Sequence, residues 1–194
     1  MKTIKLGLLV SIALLAFSCA DSKKNKEVVE TESKEVIEKV VETNPIILEV
    51  ALSARSESTA EGTVYLKEIN GEVSFGAKIK GLSPGMHAIH IHEKADCSSA
   101  DGKSSGGHWN PTFANHGKWG DEGGYHKGDI GNFEVKEDGI GSIVMKTDEW
   151  CIGCGDEKKD ILGKAIVVHQ GTDDFISQPS GAAGARVSCG GIIN

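Results

Sequence analysis

The chain has 194 residues, enough for one domain of ordinary size with appendages, and 39% of them are hydrophobic and 25% charged. Its formal net charge is −7 and no stripe of Lys and Arg occurs, so a nucleic-acid partner is not expected. Glycine is frequent, at 25 residues, and proline is rare, at 4, which suits tight turns between strands.

The first element in chain order is an export signal over residues 1–18. Lys2 and Lys5 give it a positive start, and residues 6–17 form an apolar run too short to span a bilayer stably. The residues before Cys19 resemble a bacterial lipoprotein cleavage box, with Cys19 as the lipidated first residue of the mature chain. An ordinary cleaved signal beside an incidental cysteine is the alternative. The prediction is membrane contact through lipidated Cys19 and a location in the cell envelope, in the periplasm or on the outer surface.

Residues 19–45 are rich in Lys, Glu and Val and contain no aromatic residue and no glycine. This composition predicts a solvated tether between a lipid anchor and a domain. A short partner-binding helix is the alternative, because Val29, Val36 and Val40 would share one helix side.

A different pattern begins at residue 46, where short runs of alternating and β-branched residues follow one another. The dipeptide Asn70-Gly71 separates two of these runs and is the strongest short hairpin signal. The runs are 46–54, 63–69, 73–79, 87–92, 132–136, 142–146, 164–169 and 186–188. Residues 46–194 are therefore predicted to be one all-β domain, an eight-stranded barrel or sandwich.

One long loop, residues 93–131, interrupts the runs of strand-like sequence. It is rich in Gly, Ser, Asp, Asn and His. A loop of this length inside a compact domain is usually functional or held by something other than a core. All seven histidines lie between His87 and His169, so a metal is the expected support.

Three histidines lie on the strand that precedes this loop. His90 and His92 are two residues apart, so both side chains point to one face and can approach one metal ion. His87 alternates to the other face and is predicted to support the site. His169 ends a later apolar strand and is placed to complete the same site.

A second set of ligand-type residues lies within the loop. Three His and one Asp fit a closed tetrahedral zinc site; they are His108, His116, His126 and Asp129. An imidazole-only set suits copper, zinc, iron or nickel, so the two sets indicate one redox metal and one structural metal. A dinuclear zinc hydrolase is disfavoured, because His90-Ile91-His92 is followed by Glu93 and not by the Asp-His pair of such sites.

Several short segments, in this order and at this spacing, resemble the copper/zinc superoxide dismutase family. They are residues 85–93, 107–111, 115–117, 126–132, 167–169 and 183–186, with Cys189-Gly190. The resemblance implies an eight-stranded Greek-key β-barrel with long metal-binding loops. It also implies disproportionation of superoxide to oxygen and hydrogen peroxide by redox cycling of copper (Cu), beside a structural zinc (Zn).

The resemblance also implies a role for each site residue. The copper ligands would be His90, His92, His108 and His169. The zinc ligands would be His108, His116, His126 and Asp129. His108 would bridge the two metals and carry a proton, and Arg186 would attract the superoxide anion. Asp173 would join His90 to His116, and His87 would support the copper site from behind.

Four cysteines remain when Cys19 is set aside, and an even number in an exported chain indicates disulfides. Four cysteines allow three pairings, and counting alone selects none of them. The family resemblance implies Cys97–Cys189. For Cys151 and Cys154 a local disulfide is favoured, and a copper-delivery site of soft thiolates is the alternative.

The segment between Asp173 and Arg186 is short and contains no lysine, unlike the charged loop of eukaryotic family members. Lys103, Lys118 and Lys127 are therefore the candidates for attracting the anion. A homodimer is one expected assembly. The alternative function is a non-catalytic copper- and zinc-binding protein, a buffer or delivery protein on the same scaffold.

Overall fold

The computed structural model describes residues 44–194. The predicted signal peptide, Cys19 and all but the last two residues of the predicted tether lie outside the described residues, so these predictions stay predictions. Within residues 44–194 no helix has both the length and the hydrophobicity needed to cross a membrane.

Eight strands make up the domain, and every strand-like run in the sequence forms one of them. They are β1 (Ile46–Ala54), β2 (Glu61–Ile69), β3 (Glu72–Lys80), β4 (Gly85–His92), β5 (Gly131–Val135), β6 (Ile140–Thr147), β7 (Ala165–His169) and β8 (Arg186–Gly191). The one helical element among the described residues is a 3-10 turn, Lys103–Ser105. The strand ends differ from the predicted ends by up to three residues, since propensity fixes ends poorly.

The strands pair antiparallel throughout and close into a barrel in the order β1-β2-β3-β6-β5-β4-β7-β8. Strands β4 to β7 lie side by side as β7-β4-β5-β6, which is the Greek-key order. The predicted all-β Greek-key barrel is therefore confirmed.

The hairpin between β2 and β3 shows how the local sequence sets the register. Asn70 and Gly71 both have positive φ, 51° and 78°, as a type I′ turn requires. The turn aligns alternate residues of the two strands, so that Val64 and Leu66 enter the core beside Phe75.

Strand β4 is buried on both faces, and its two faces differ in chemistry. Ile89 and Ile91 belong to the barrel core, whereas His90 and His92 alternate onto the outer face. Those histidines are nevertheless buried, with exposures of 0% and 1%, because residues 93–130 and 170–185 cover this wall. The site therefore lies between the barrel wall and the long loops.

Candidate metal centre

Two strands supply three of the clustered histidines. His90 and His92 lie at the end of β4, and His169 is the last residue of the neighbouring β7. The pairing of β7 with β8 shifts between Val168 and His169, so His169 lies opposite Arg186. Bulges of this kind redirect side chains beside active sites, and here one brings His169 and Arg186 to the same end of the barrel.

His108 reaches the strand histidines because the long loop runs along the backbone of β4. A single β-bridge joins His92 to His108, and the Trp109 N–H donates to the Ile91 carbonyl at 2.8 Å. The ring of His108 consequently lies 4.0 Å from that of His90 and 5.0 Å from that of His92, measured between centroids.

The first ligand set consists of four buried imidazoles. One nitrogen from each of His90, His92, His108 and His169 lies within 4.8 Å of all the others. The Nε2 atoms of His92 and His169 are 3.3 Å apart, the spacing of about 3.3 Å expected for two nitrogens ~2.0 Å from one tetrahedral metal. His90 Nδ1 and His108 Nε2 are buried without a hydrogen-bond partner. Such buried, unpaired nitrogens indicate a bound cation.

The second set surrounds the carboxylate of Asp129. Its oxygens lie 2.8 Å from His108 Nδ1, 2.9 Å from His116 Nδ1 and 3.3 Å from His126 Nδ1. The Nδ1 atoms of His116 and His126 make no hydrogen bond of good geometry, although both are buried. His108 therefore directs Nδ1 into this set and Nε2 into the first, as a bridging imidazole would.

The imidazoles of the first set have lowered pKa values. Burial, followed by repulsion from the neighbouring imidazoles, lowers the pKa of His92 and of His169 well below the usual range. Burial also lowers the pKa of His108 to about 4, although its hydrogen bond to Asp129 opposes this. These rings are therefore neutral at neutral pH, which is the protonation state that binds a metal.

The second set differs because it contains a negative charge. Burial lowers the pKa of His116, but the adjacent Asp129 carboxylate and the hydrogen bond to Asp173 outweigh burial and raise the pKa to about 9. Burial raises the pKa of Asp129, but the close imidazoles, with hydrogen bonds from His108 Nδ1 and the His126 N–H, hold the pKa far below its usual range. Metal binding here must displace the proton that His116 holds at neutral pH.

Outer partners fix the orientation of the ligand rings. Asp173 joins the two sets, because its Oδ2 lies 2.8 Å from His90 Nε2 and its Oδ1 lies 2.9 Å from His116 Nε2. His92 Nδ1 lies 3.0 Å from the Gly106 carbonyl, and His169 Nδ1 lies 3.3 Å from the Gly184 carbonyl. Such partners set the tautomer and leave the other nitrogen free for a metal. Imidazoles with one carboxylate form a donor set that suits copper and zinc.

Three residues that sequence reasoning did not assign hold Asp173 and His116 in place. Asn132 exchanges two hydrogen bonds of 2.8 Å with the backbone of Asp173, and Gln178 exchanges two with the backbone of His116. Gly181 has a φ of 66°, and a Cβ there would overlap the Asp173 carboxylate. Asn132 and Gln178 lie 41 and 62 positions from the residues that they bind, so no local pattern could have indicated these two pairs.

His87 lies outside both ligand sets. Its Nδ1 is 3.0 Å from the carbonyl of His169 and its Nε2 is 2.9 Å from the carbonyl of Ser83. The ring thus ties the end of β7 to the turn before β4, behind the first set.

A cavity of about 590 Å³ opens from the first set toward solvent. Its lining includes His92, His108 and His169 together with Arg186. The Arg186 Nη1 atom donates to the Gly102 carbonyl at 2.9 Å and to Ser105 Oγ at 3.1 Å, so one fixed positive charge faces the cavity.

The lysine candidates differ in position. Lys103 lines the cavity, whereas Lys118 and Lys127 do not. Lys127 instead pairs with Glu149. Lys103 is therefore the one lysine of the three at the cavity, where it pairs at 3.0 Å with Asp101, another lining residue.

Both disulfides are formed. Cys97–Cys189 joins residues 92 positions apart, with a Cα–Cα distance of 5.8 Å, and fastens the long loop to β8. Cys151–Cys154 closes a local loop with a sequence separation of 3.

The comparison with known proteins agrees with this geometry. A family model described as copper/zinc superoxide dismutase matches residues 60–192. The chain belongs to the copper/zinc superoxide dismutase family. The resemblance seen in the sequence is therefore confirmed, and the family implies copper and zinc as its metals.

Relatives within the copper/zinc superoxide dismutase family come from distant organisms. The superoxide dismutase-like protein YojM of Bacillus subtilis is 36% identical over 160 residues, covering 80% of each chain. The superoxide dismutase [Cu-Zn] 3 of Arabidopsis thaliana is 35% identical over 147 residues, covering 73% of this chain and 87% of its own. The crystal structure of a double mutant of a SOD-like protein from Bacillus subtilis has a TM-score of 0.67 and 34% identity, covering 75% of this chain and 97% of its own.

Replacing Asp173 with asparagine is expected to weaken binding at one of the two ligand sets by roughly 10- to 100-fold. The carboxylate presents one oxygen to His90 and the other to His116, whereas an amide can accept from only one of them. Metal competition titrations, for copper and zinc separately, measure the effect.

The matched control is Asp174→Asn. Asp174 is an exposed neighbour that accepts from Ile176 N and Ser177 N and contacts no histidine. Equal affinities in the Asp173 and Asp174 variants would contradict the positioning role of Asp173.

Proposed function

We propose that the chain catalyses the disproportionation of superoxide: two superoxide anions and two protons give oxygen and hydrogen peroxide. The observation that carries the proposal is the all-imidazole set, which lines a cavity beside a fixed arginine. A redox metal in such a set is open to a small anion from the cavity, which three of the four imidazoles line: His92, His108 and His169.

The proposed ligands follow from the converging atoms. Copper would be held by His90, His92, His108 and His169, and zinc by His108, His116, His126 and Asp129. Bound copper supplies the one-electron redox chemistry, and bound zinc holds the loop and His108 in place.

Arg186 binds and orients the anion. Its guanidinium stays charged at any relevant pH, and its two hydrogen bonds to residues 102 and 105 hold it at the cavity. Gly102 is needed for this approach, because its φ is 70° and a Cβ would lie 3.2 Å from the Cβ of Arg186.

His108 Nε2 is the proposed proton carrier. It faces the cavity side, whereas Nδ1 is engaged with Asp129. The nitrogen takes up a proton in one half-reaction and returns it to the reduced oxygen species in the other. This nitrogen accounts for one of the two protons in hydrogen peroxide, and the second proton comes from solvent through the cavity.

The direct test is to load the purified chain with copper and zinc, count both metals, and follow the decay of a superoxide pulse. One copper and one zinc per chain with strongly accelerated decay supports the proposal. The same protein stripped by a chelator is the control. Tight binding of both metals without faster superoxide decay would overturn the proposal.

A non-catalytic copper- and zinc-binding protein is the second candidate. It is supported by the Bacillus subtilis relatives, which are named as superoxide dismutase-like or SOD-like proteins. The pulse experiment separates the two candidates, because a buffer or delivery protein binds the metals and leaves superoxide decay unchanged.

Replacing Arg186 with lysine is expected to lower kcat/KM for superoxide about tenfold, equivalent to ~1.4 kcal/mol. Lysine keeps the charge but cannot reproduce the planar fork that bonds Gly102 and Ser105. The rate of superoxide decay at several ionic strengths measures the effect. Arg55→Lys is the matched control, because Arg55 does not line the cavity. Equal losses in both variants would contradict a specific role for Arg186.

The proposed location is the cell envelope, with a lipid on Cys19. The support is the sequence alone: a short apolar run ends just before Cys19. The variant Cys19→Ser is expected to move the protein from the membrane fraction to the soluble fraction. Unchanged membrane association would contradict the lipid anchor.

A further inference from the structure

A third cluster of potential metal ligands lies in the segment between β6 and β7, apart from both histidine sets. Cys151 Sγ, Cys154 Sγ and a carboxylate oxygen of Asp160 lie within 4.8 Å of one another. Cys151 is buried and Cys154 is exposed to solvent, and the two cysteines form a disulfide. The superoxide reaction uses none of these residues.

Hydrogen bonds hold this loop in shape together with the disulfide. The Asp160 carboxylate accepts from the N–H groups of Gly153 and Gly155, at 2.8 Å each, and from that of Leu162 at 3.0 Å. The Glu68 carboxylate on β2 accepts from Ile152 N at 2.7 Å. When the disulfide is reduced, these bonds keep both sulfurs near each other.

The Cys151–Cys154 disulfide is expected to stabilise the fold less than the Cys97–Cys189 disulfide does. A disulfide stabilises mainly by restricting the unfolded chain, and the restriction grows with the length of the closed loop. Cys151 and Cys154 are 3 positions apart, whereas Cys97 and Cys189 are 92 apart. Stabilisation of the fold therefore accounts for the Cys151–Cys154 pair less well than for the Cys97–Cys189 pair.

The surroundings of the two sulfurs combine a hydrogen-bond donor with a negative charge. The Asp156 N–H lies 3.5 Å from Cys154 Sγ and donates to it. Asp160 adds a negative charge beside both sulfurs, which favours a cation over a second anion.

We propose that the Cys151–Cys154 loop is a redox-gated soft-metal site, which holds one Cu(I) ion when reduced and none when oxidised. Two thiolates select Cu(I), whereas the imidazoles and carboxylate of the histidine sets contain no sulfur. Asp160 acts through its charge, since its oxygens already accept three N–H groups.

The redox step is a thiol–disulfide exchange with a dithiol reductant. The reductant loses two electrons and two protons and becomes a disulfide. The Cys151–Cys154 bond gains both and becomes two thiols. Binding of Cu(I) then forms two copper–sulfur bonds and releases the two thiol protons, with no further electron transfer.

The test uses the full chain with both histidine sets loaded, so that added Cu(I) meets only the loop. The protein is treated with a phosphine reductant without denaturant and desalted anaerobically, and its free thiols are counted. It is then titrated with Cu(I) against a chromophoric Cu(I) chelator. The expected result is two new thiols, one additional Cu(I) per chain and a sulfur-to-copper charge-transfer band in the ultraviolet.

The controls separate the loop from the rest of the chain. Untreated protein, and a Cys151→Ser/Cys154→Ser variant after the same reduction, should bind no additional Cu(I). Failure to release thiols without unfolding would overturn the proposal, as would released thiols with no Cu(I) uptake. Preference for Zn(II) over Cu(I) at the reduced loop would overturn the copper assignment.

Discussion

Replacing His169 with alanine is expected to reduce the accelerated decay of superoxide about 100-fold or more, while zinc stays bound. His169 contributes its Nε2 to the first set only, 3.3 Å from that of His92. Loss of an outer partner alone typically costs 10- to 100-fold, and loss of a direct ligand costs at least as much. Copper and zinc counted per chain, together with the decay of a superoxide pulse, measure the effect.

The matched control is His126→Ala, which changes the same residue type in the other set. His126 belongs to the second set only, where its Nδ1 lies 3.3 Å from Asp129. This variant is expected to lose zinc and to keep copper, with a smaller loss of activity, because all four imidazoles of the first set remain.

The two variants together test the division of the centre into two sets. Loss of copper alone in one and of zinc alone in the other is the expected pattern. A His169→Ala protein that keeps one copper and the full rate would contradict the assignment of His169 as a copper ligand.

Much of the fold could be predicted because its signals are local. Alternation of apolar and polar residues marks strands such as β3, a short apolar run marks β7, and Asn70-Gly71 marks a type I′ turn that adjacent residues define. The placement of His90 and His92 on one face also follows from the two-residue period of a strand.

Other features could not be predicted from local patterns. The period does not say which face of β4 is inner, and the structure places His90 on the outer wall beneath the loops. The bonds from Asn132 to Asp173 and from Arg186 to Gly102 join residues 41 and 84 positions apart. Only the tertiary fold brings such pairs together. The roles of Asp173 and Arg186 were therefore assigned from the family resemblance and not from periodicity.

Removing the Cys97–Cys189 disulfide with a double serine variant is expected to lower the free energy of unfolding by about 4–5 kcal/mol. The bond closes a loop between residues 92 positions apart, so its loss frees a long segment of the unfolded chain. For a domain of this size the melting temperature should fall by roughly 10 to 20 °C. Thermal unfolding of metal-free protein, followed by circular dichroism, measures the change.

The Cys151→Ser/Cys154→Ser variant is the matched control, since it also removes one disulfide. Cys151 and Cys154 are 3 positions apart, and for this separation the same chain-entropy argument gives a loss of about 2 kcal/mol in the free energy of unfolding. Similar melting temperatures for the two variants would contradict the view that loop length decides the contribution of each bond.

The long-range disulfide is also expected to affect the reaction, because it anchors the loop that holds Arg186. Cys97 lies in the loop that supplies the Gly102 carbonyl and Ser105 Oγ to the guanidinium, and Cys189 lies on the strand that begins with Arg186. The Cys97→Ser/Cys189→Ser protein, fully loaded with metal below its melting temperature, should therefore disproportionate superoxide more slowly than the matched control. An unchanged rate would show that the hydrogen bonds alone suffice to place Arg186.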